Sequence, residues 1–223
     1  MLKDYLTRSL RAALGLVLFG FGVYLSIQAN IGLAPWDCLC MGVTSHIPMS
    51  YGAVSICVSV VVIALDLCLG EHIGLGTLLD AVLVGASVDA FTALALLPML
   101  HNLWLGVALM IVGLFAMAFG MYVYMSAGLC CGPRDSMLVA LGKRMRKVPI
   151  GVVNMMIMTV VLIIGALLGG PVGVGTVLDV FGSGLALQIV FRLLRFEPRD
   201  VQHENLVQMW AKLRGRRQDG VAS

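Results

Sequence analysis

The sequence predicts an all-α integral membrane protein whose six transmembrane helices form two three-helix inverted repeats, each with an extra short half-helix. The first supporting observation is composition, because 60% of the 223 residues are hydrophobic and only 12% are charged. Ordinary soluble domains carry about a quarter charged residues. This composition excludes a soluble domain as the main part of the chain and indicates a protein that lies in the bilayer.

The second observation is an internal duplication. The segment 21–37, which begins F-G-V-Y and ends P-W-D, recurs 98 residues later at 119–135, which begins F-G-M-Y and ends P-R-D. The element G-L-G-T-L-L-D at 74–80 recurs 99 residues later as G-V-G-T-V-L-D at 173–179. Duplicated halves with Gly and Pro interruptions at matching positions are typical of membrane transporters and mark their binding sites.

Six apolar runs are long enough to cross about 30 Å of hydrocarbon. Three spans per half is an odd number, so the second half enters the membrane from the opposite side and the repeats are predicted to be inverted. The predicted domains are a first half over 1–98, a second half over 99–195 and a basic cytoplasmic tail over 196–223. The runs lie at about 11–29, 52–70, 76–97, 103–127, 150–169 and 175–194.

Lys and Arg residues near the span ends predict the orientation, because cytoplasmic loops are enriched in them. The N-terminus, the 143–147 loop and the tail are basic, whereas the 30–51, 98–102 and 170–174 loops carry no Lys or Arg. Six spans put every basic segment inside, so both termini are predicted to be cytoplasmic. For the tail, a helix on the anionic membrane surface and a solvated tail that only sets topology both stay open.

Each half also holds a short segment after its Pro-x-Asp element, at about 35–46 and 133–145. At 1.5 Å per residue such segments reach only about 18–20 Å, which is too short to span the bilayer. They are therefore predicted to be half-helices or interfacial helices. The alternative is that both cross, which would give eight spans and parallel repeats with the same basic loops inside.

The Pro-x-Asp elements have the residues of a helix start. Pro35 and Pro133 suit the first turn, and Asp37 and Asp135 face its free N–H groups and the positive end of the helix dipole. Arg134 stands where the first half has Trp36. Three interpretations of this arginine stay open: an internal pair, a contact with lipid headgroups, or binding of an anionic substrate.

The two G-x-G-T-x-L-D elements are also candidate helix starts. Thr77 and Thr176 can cap the following helix, with Asp80 and Asp179 three residues on in an arrangement like a capping box. One interpretation is that all four motifs are only helix starts with close-packing glycines. The other is that four broken helix ends, two per half, bind a substrate at the repeat interface.

Asp89 is the ionisable residue that the sequence places near the middle of a span, and its repeat counterpart is Gln188. A charge at the bilayer centre costs at least about 2.5 kcal/mol and usually faces a cavity or the bundle interior. The pair therefore either lines a substrate or ion path or forms hydrogen bonds between helices. Asp80 and Asp89 are nine residues apart, so both cannot face one cavity squarely at 100° per residue.

Metal, cofactor and catalytic chemistry find no support in the sequence. The six cysteines form no C-x-x-C motif, and the four histidines have no partner at i+4, as a zinc site would require. No P-loop, HExxH motif or Ser-His-Asp pattern occurs. No enzyme activity, cofactor or metal site is predicted.

Four motifs follow one another along the chain: G-L-A-P-W-D at 32–37, G-L-G-T-L-L-D at 74–80, G-P-R-D at 132–135 and G-G-P-V-G-V-G-T at 169–176. In this order they resemble the YczE branch of the YitT/YczE family of bacterial integral membrane proteins. The resemblance covers nearly the whole chain except the tail, and it implies a bacterial inner-membrane protein of poorly defined activity. Many members place an Arg and a Glu early in the fifth span, where this chain has Asn154 and Met158.

Two functions follow from these patterns. The first is a secondary transporter or permease for a small solute, with a site at the repeat interface. The alternative is a non-transporting membrane accessory or regulatory protein that scaffolds a partner. The expected partners are the lipid bilayer and a small molecule or ion, with no nucleic acid, and a homo-oligomer stays open. The predicted substrate-binding residues are Asp37, Thr77, Asp80, Asp89, Arg134, Asp135, Thr176, Asp179 and Gln188.

Overall fold

The computed structural model describes residues 2–71, 73–129, 132–145 and 147–196, and the side chains from Leu6 onward within them. Over these residues the protein is all helical, and helices long and apolar enough to span a membrane number six: α1, α3, α4, α5, α7 and α8. The helices are α1 (Leu2–Ala29), α2 (Pro35–Thr44), α3 (Tyr51–Cys68), α4 (Leu75–Ala93), α5 (Leu103–Met125), α6 (Pro133–Arg144), α7 (Ile150–Leu167) and α8 (Val174–Leu193).

The two short helices lie where the sequence predicts them. With 10 and 12 residues, α2 and α6 are about 15–18 Å long, well short of the hydrocarbon thickness. Each has Pro in its first turn, where the missing N–H has no partner to lose. The Ser45 hydroxyl at the end of α2 donates to the Leu168 carbonyl (3.0 Å) after α7. Lys143 in the last turn of α6 pairs with Glu71 (2.7 Å) after α3.

The centre of the bundle is the pair formed by α1 and α5, which are equivalent elements of the duplication. An added Cβ on Gly15 would lie 2.5 Å from the Tyr124 amide nitrogen, and one on Gly106 would lie 2.7 Å from the Ala29 carbonyl oxygen. The start of α1 therefore packs on the end of α5, so the two helices are antiparallel. Glycines allow this backbone approach because any side chain would separate the helices.

Crossed hydrogen bonds join the two halves at the G-x-G-T elements. The Gly76 N–H donates to the Leu129 carbonyl (2.7 Å), and the Gly175 N–H donates to the Ile31 carbonyl (2.7 Å). Each half thereby anchors the start of its last long helix to the loop before the other half's short helix. Gly32 has a positive φ of 112°, a conformation that favours glycine.

Unusual backbone conformations recur at matching positions of the two halves. Positive φ values end α1 and α5 at Asn30 and Gly128, and they follow α3 and α7 at Gly70 and Gly169. The third such pair follows α4 and α8, at Ala95 and Arg195. The duplication thus extends to the turns that end the long helices, although their sequences differ.

The two threonines cap their helices in a way that differs from the sequence prediction. The helices begin at Leu75 and Val174, so Thr77 and Thr176 are their third residues. Each threonine hydroxyl accepts a hydrogen bond from the backbone N–H of the preceding N-cap glycine, at 3.3 and 3.2 Å. Asp80 and Asp179 are consequently sixth residues, one turn beyond any capping box, and their carboxylates are available elsewhere. The predicted membrane-surface helix in the tail lies outside the described residues, which end at 196.

Candidate functional site

The first turns of α2 and α6 meet inside the bundle. The Arg134 guanidinium lies 3.6 Å from the Asp37 carboxylate and 5.2 Å from the centre of the Trp36 ring. The Tyr51 hydroxyl donates to the same carboxylate at 2.8 Å, in a buried position. Asp37 is 4% exposed, so its charge is balanced by the arginine and by hydrogen bonding, as buried charges require.

A cavity of about 210 Å³ lies against this pair, and it is called the central cavity below. Its polar lining consists of Asp37, Arg134, Asp179 and Ser183, and its remaining wall is mostly apolar. The apolar wall comes from α1, α5, α7, α8 and the start of α2. It contains Phe19, Ala34, Pro35, Trp36, Leu114, Met117, Ala118, Met121, Met158 and Leu187.

A larger lateral cavity of about 520 Å³ separates α7 from α8. It shares Pro35, Met158, Asp179 and Ser183 with the central cavity, so the two are neighbours with a common wall. Asn154 also lines it. The positions at which this chain departs from the YczE pattern, 154 and 158, thus both face the space between α7 and α8.

The first half has a smaller counterpart, the Asp80 cavity, of about 90 Å³. Its polar lining includes Asp80, Arg134, Asp135 and the hydroxyls of Ser55 and Ser59. Because Arg134 lines both this cavity and the central one, a single guanidinium lies between the carboxylates of the two halves.

The electrostatics at the start of α6 are set by burial and by Arg134. Burial raises the pKa of the Asp135 carboxyl above its ordinary value, and the neighbouring Arg134 opposes that rise. Burial disfavours the charged form of any carboxyl, whereas a nearby positive charge favours it.

Of the nine predicted site residues, the structure brings five together. Asp37, Arg134 and Asp179 line the central cavity, and Asp80 and Asp135 line the Asp80 cavity next to it. The other four lie elsewhere. Thr77 and Thr176 cap helices, Gln188 is exposed on α8, and Asp89 is partly buried near the end of α4.

Asp89 fastens α4 to the start of α3. Its carboxylate accepts hydrogen bonds from the Ser50 hydroxyl and from the Gly52 backbone N–H at 2.8 Å. The predicted position near mid-span also changes, because α4 ends at Ala93, four residues short of the predicted end at 97. The geometry therefore gives Asp89 a helix-joining role, the second of the two interpretations that the sequence left open.

Replacing Asp89 with alanine is expected to destabilise the protein by about 1.5–3 kcal/mol, the usual range for hydrogen bonds to a charged group. Asp89→Asn keeps an oxygen acceptor for the Gly52 N–H and should lose less. Gln188→Ala changes the exposed repeat counterpart and serves as the control. The measurement is the thermal unfolding midpoint in detergent. A fully stable Asp89→Ala protein would contradict the helix-joining role.

Sequence reasoning missed the hydroxyls that α3 contributes. Tyr51, Ser55 and Ser59 are four residues apart and share one face of a span whose other residues before Asp66 are apolar. All three are buried. The i, i+4, i+8 spacing was the available signal, since a polar stripe in a transmembrane helix faces the bundle interior. Met121, Ser183 and the apolar wall carried no comparable signal.

Residues 6–192 of the chain match a family of unknown function, DUF6198. The Bacillus subtilis (strain 168) protein described as uncharacterized membrane protein YczE is 31% identical over 176 residues, which are 78% of this chain and 80% of that protein. A Haemophilus influenzae (strain ATCC 51907 / DSM 11121 / KW20 / Rd) protein described as uncharacterized is 28% identical over 179 residues, 80% of this chain and 81% of that protein. No solved structure matches. The six apolar helices and these matches confirm the resemblance, and the chain belongs to the YczE-like membrane proteins of the family DUF6198.

Proposed function

We propose that the protein is a secondary transporter or permease for a small solute, with its site at the interface between two inverted repeats. The observation that carries the proposal is a conformational difference between equivalent helix pairs. The pair α3 and α4 is packed together, whereas its counterpart, α7 and α8, is separated by the lateral cavity. Alternating access requires two such arrangements of equivalent elements around one site.

Glycines mark the difference most directly. An added Cβ on Gly85 of α4 would lie 2.7 Å from the Gly52 carbonyl oxygen of α3, so the two backbones are in contact. The residues 99 positions later are also glycines, Gly151 and Gly184, and an added Cβ on either would meet no described atom within 4 Å. The second half therefore keeps the small residues that permit closure although its helices stand apart.

The cavities of the two halves also differ in volume, and the larger one lies beside the helices that stand apart. The Asp80 cavity of the packed half has about 90 Å³, whereas the lateral cavity beside Asp179 has about 520 Å³. The antiparallel packing of α1 on α5 supports inverted repeats, because equivalent helices then run in opposite directions. If the two halves exchanged conformations, the opening would move to the opposite side of the site.

The proposed orientation follows the basic segments, with both termini in the cytoplasm of a bacterial inner membrane. The open ends of α7 and α8 then face the cytoplasm, and the closed contact between α3 and α4 lies on the outer side. The described state is thus an inward-facing one. The proposal includes no catalytic step.

The test is the accessibility of Ser183, which lines both the central and the lateral cavity. Ser183→Cys is placed in a background whose native exposed cysteines are replaced, and membrane vesicles of both orientations are treated with a charged, membrane-impermeant methanethiosulfonate reagent. Alternating access predicts labelling from both sides, faster from the cytoplasmic side. His46→Cys, in the exposed 45–50 loop, reports the vesicle orientation and should label only from outside.

Leu185→Cys is the matched control, because Leu185 is 60% exposed on the outer face of the same helix and lines neither cavity. In a membrane it faces lipid and should not react from either side. Labelling of Ser183→Cys from one side only would contradict transport and favour the non-transporting accessory protein.

A further inference from the structure

We propose that Asp179 binds an organic cation, a single positive charge carried on an apolar body. This inference deepens the proposed function by naming the substrate class of the same site. It concerns binding, which is measured without transport.

Asp179 has no partner of its own among the residues that the structure describes. It is 8% exposed and lines both the central and the lateral cavity. Within the described part of the chain it takes part in no hydrogen bond or ion pair. The charged group that acts on it is Asp37, which carries the same sign. A buried carboxylate in this position gains most from a positive ligand that enters the cavity.

Arg134 does not neutralise the charge of Asp179. The guanidinium lies beside Asp37 and over the Trp36 ring, and its further carboxylate neighbours, Asp80 and Asp135, belong to the other cavity. With two carboxyl groups and one guanidinium in its lining, the central cavity holds an excess of one acidic group over basic groups. An anionic substrate would meet that excess, so the anion-binding interpretation of Arg134 is disfavoured.

The rest of the central cavity's wall is mostly apolar, and it determines which kind of ligand body fits beside Asp179. Three methionines, two leucines and a phenylalanine line the same cavity as the Asp179 carboxylate. Methionine side chains adapt to irregular apolar shapes. An inorganic divalent ion needs a shell of oxygen ligands, and no three acidic, histidine or cysteine side chains converge in such a group anywhere in the described residues. The wall residues are Met117, Met121, Met158, Leu114, Leu187 and Phe19.

A ligand can reach Asp179 through the lateral cavity. The lateral cavity leads from Asp179 past Met155 and Phe181, whose side chains are 64% and 68% exposed at the surface between α7 and α8. Those surfaces face lipid in a bilayer, so a cation with an apolar body can reach the site from the membrane as well as from water. A small hydrophilic cation would gain little from this lining.

The experiment measures equilibrium binding to the purified full-length protein in detergent by isothermal titration calorimetry. The probe is benzyltrimethylammonium, which keeps its charge at every pH. Neopentylbenzene, in which carbon replaces the nitrogen, is the neutral isostere, and benzenesulfonate is the anionic control. Saturable binding of the cation alone is expected.

Asp179→Asn should weaken cation binding by at least about tenfold, because the loss of one partner of a buried charge pair usually lowers the affinity by more than that factor. Asp179→Glu, which keeps the charge, should bind within a few-fold of the original protein. Asp66→Asn changes another buried carboxyl that lines none of the three cavities and should leave binding unchanged. Ser183→Lys, which puts a tethered ammonium in the same cavities, should abolish binding independently of Asp179→Asn.

Three results overturn the inference: no saturable cation binding, equal binding of the neutral isostere or the anion, or unchanged affinity in Asp179→Asn. Equal binding of the isostere would assign the cleft to uncharged lipid-like molecules instead. If the protein binds the cation but does not transport, the cation binds as expected while Ser183→Cys labels from one side only. Labelling from both sides without cation binding would overturn this inference and leave the proposed function standing.

Discussion

Gly184→Leu is expected to abolish the movement of the site between the two sides of the membrane while leaving the fold intact. Gly184 has open space around it, because an added Cβ there would meet no described atom within 4 Å. Gly184 is also exposed on α8, so a leucine side chain has room to extend away from the bundle in the described state. Closure of α7 on α8 would require the backbone contact that Gly85 makes in the first half, and a leucine side chain would prevent it.

The readout combines stability and accessibility. The thermal unfolding midpoint of Gly184→Leu should stay near that of the original protein, and Ser183→Cys in this background should label from the cytoplasmic side only. Gly85→Leu is the matched variant, because an added Cβ there would already lie 2.7 Å from the Gly52 carbonyl oxygen. Overpacking of a closed contact typically costs about 1–3 kcal/mol, so Gly85→Leu should be destabilised. If Gly184→Leu still labels from both sides, α7 and α8 do not close.

The sequence predicted the elements that meet at the site because it contains them twice. Six spans and two short helices follow from run length alone. The observed ends of the spans differ from the predicted ones by at most four residues, except that α1 begins at Leu2, well before the predicted start at about 11. The Pro-x-Asp starts and the aspartates at 80 and 179 were predicted from their recurrence, and all four aspartates line the described cavities. A duplicated polar residue in an apolar chain is thus a useful guide to the interior.

The partners of these residues could not be predicted, because a helix pattern fixes a face but not the neighbour opposite it. Asp89 illustrates this limit. Its depth depended on where α4 ends, and its hydrogen-bond donors, Ser50 and the Gly52 N–H, are supplied by the neighbouring helix start. The sequence also could not predict that α3 and α4 are packed together while α7 and α8 stand apart. Glycines occupy the equivalent positions in both pairs, so only the conformation distinguishes one pair from the other.

Arg134→Gln is expected to destabilise the protein by about 3 kcal/mol at neutral to alkaline pH, the usual consequence of removing one partner of a buried ion pair. Asp37 would lose the guanidinium that lies 3.6 Å from its carboxylate. Asp135 would lose the positive charge that opposes the rise of its pKa. In the variant, burial therefore raises the pKa of the Asp135 carboxyl without an opposing positive charge from Arg134.

The dependence on pH distinguishes this charge effect from packing. A carboxyl whose pKa is raised in the folded state holds its proton after the unfolded chain has lost it, so stability falls as pH rises from the unfolded pKa through the folded one. Removing Arg134 raises the folded pKa of Asp135 further and enlarges that fall. The deficit of Arg134→Gln should accordingly be small at about pH 5 and large at about pH 8, measured as the thermal unfolding midpoint.

A double variant completes the test. Asp37→Asn with Arg134→Gln removes both charges of the pair, so at alkaline pH it should be more stable than Arg134→Gln alone, although two residues are changed. Arg134→Lys keeps the charge but loses the planar contact with Trp36. Its thermal unfolding midpoint should therefore lie between those of the original protein and Arg134→Gln. A deficit of equal size at both pH values would instead mean that Arg134 stabilises the start of α6 by packing against Trp36, with its charge contributing nothing measurable.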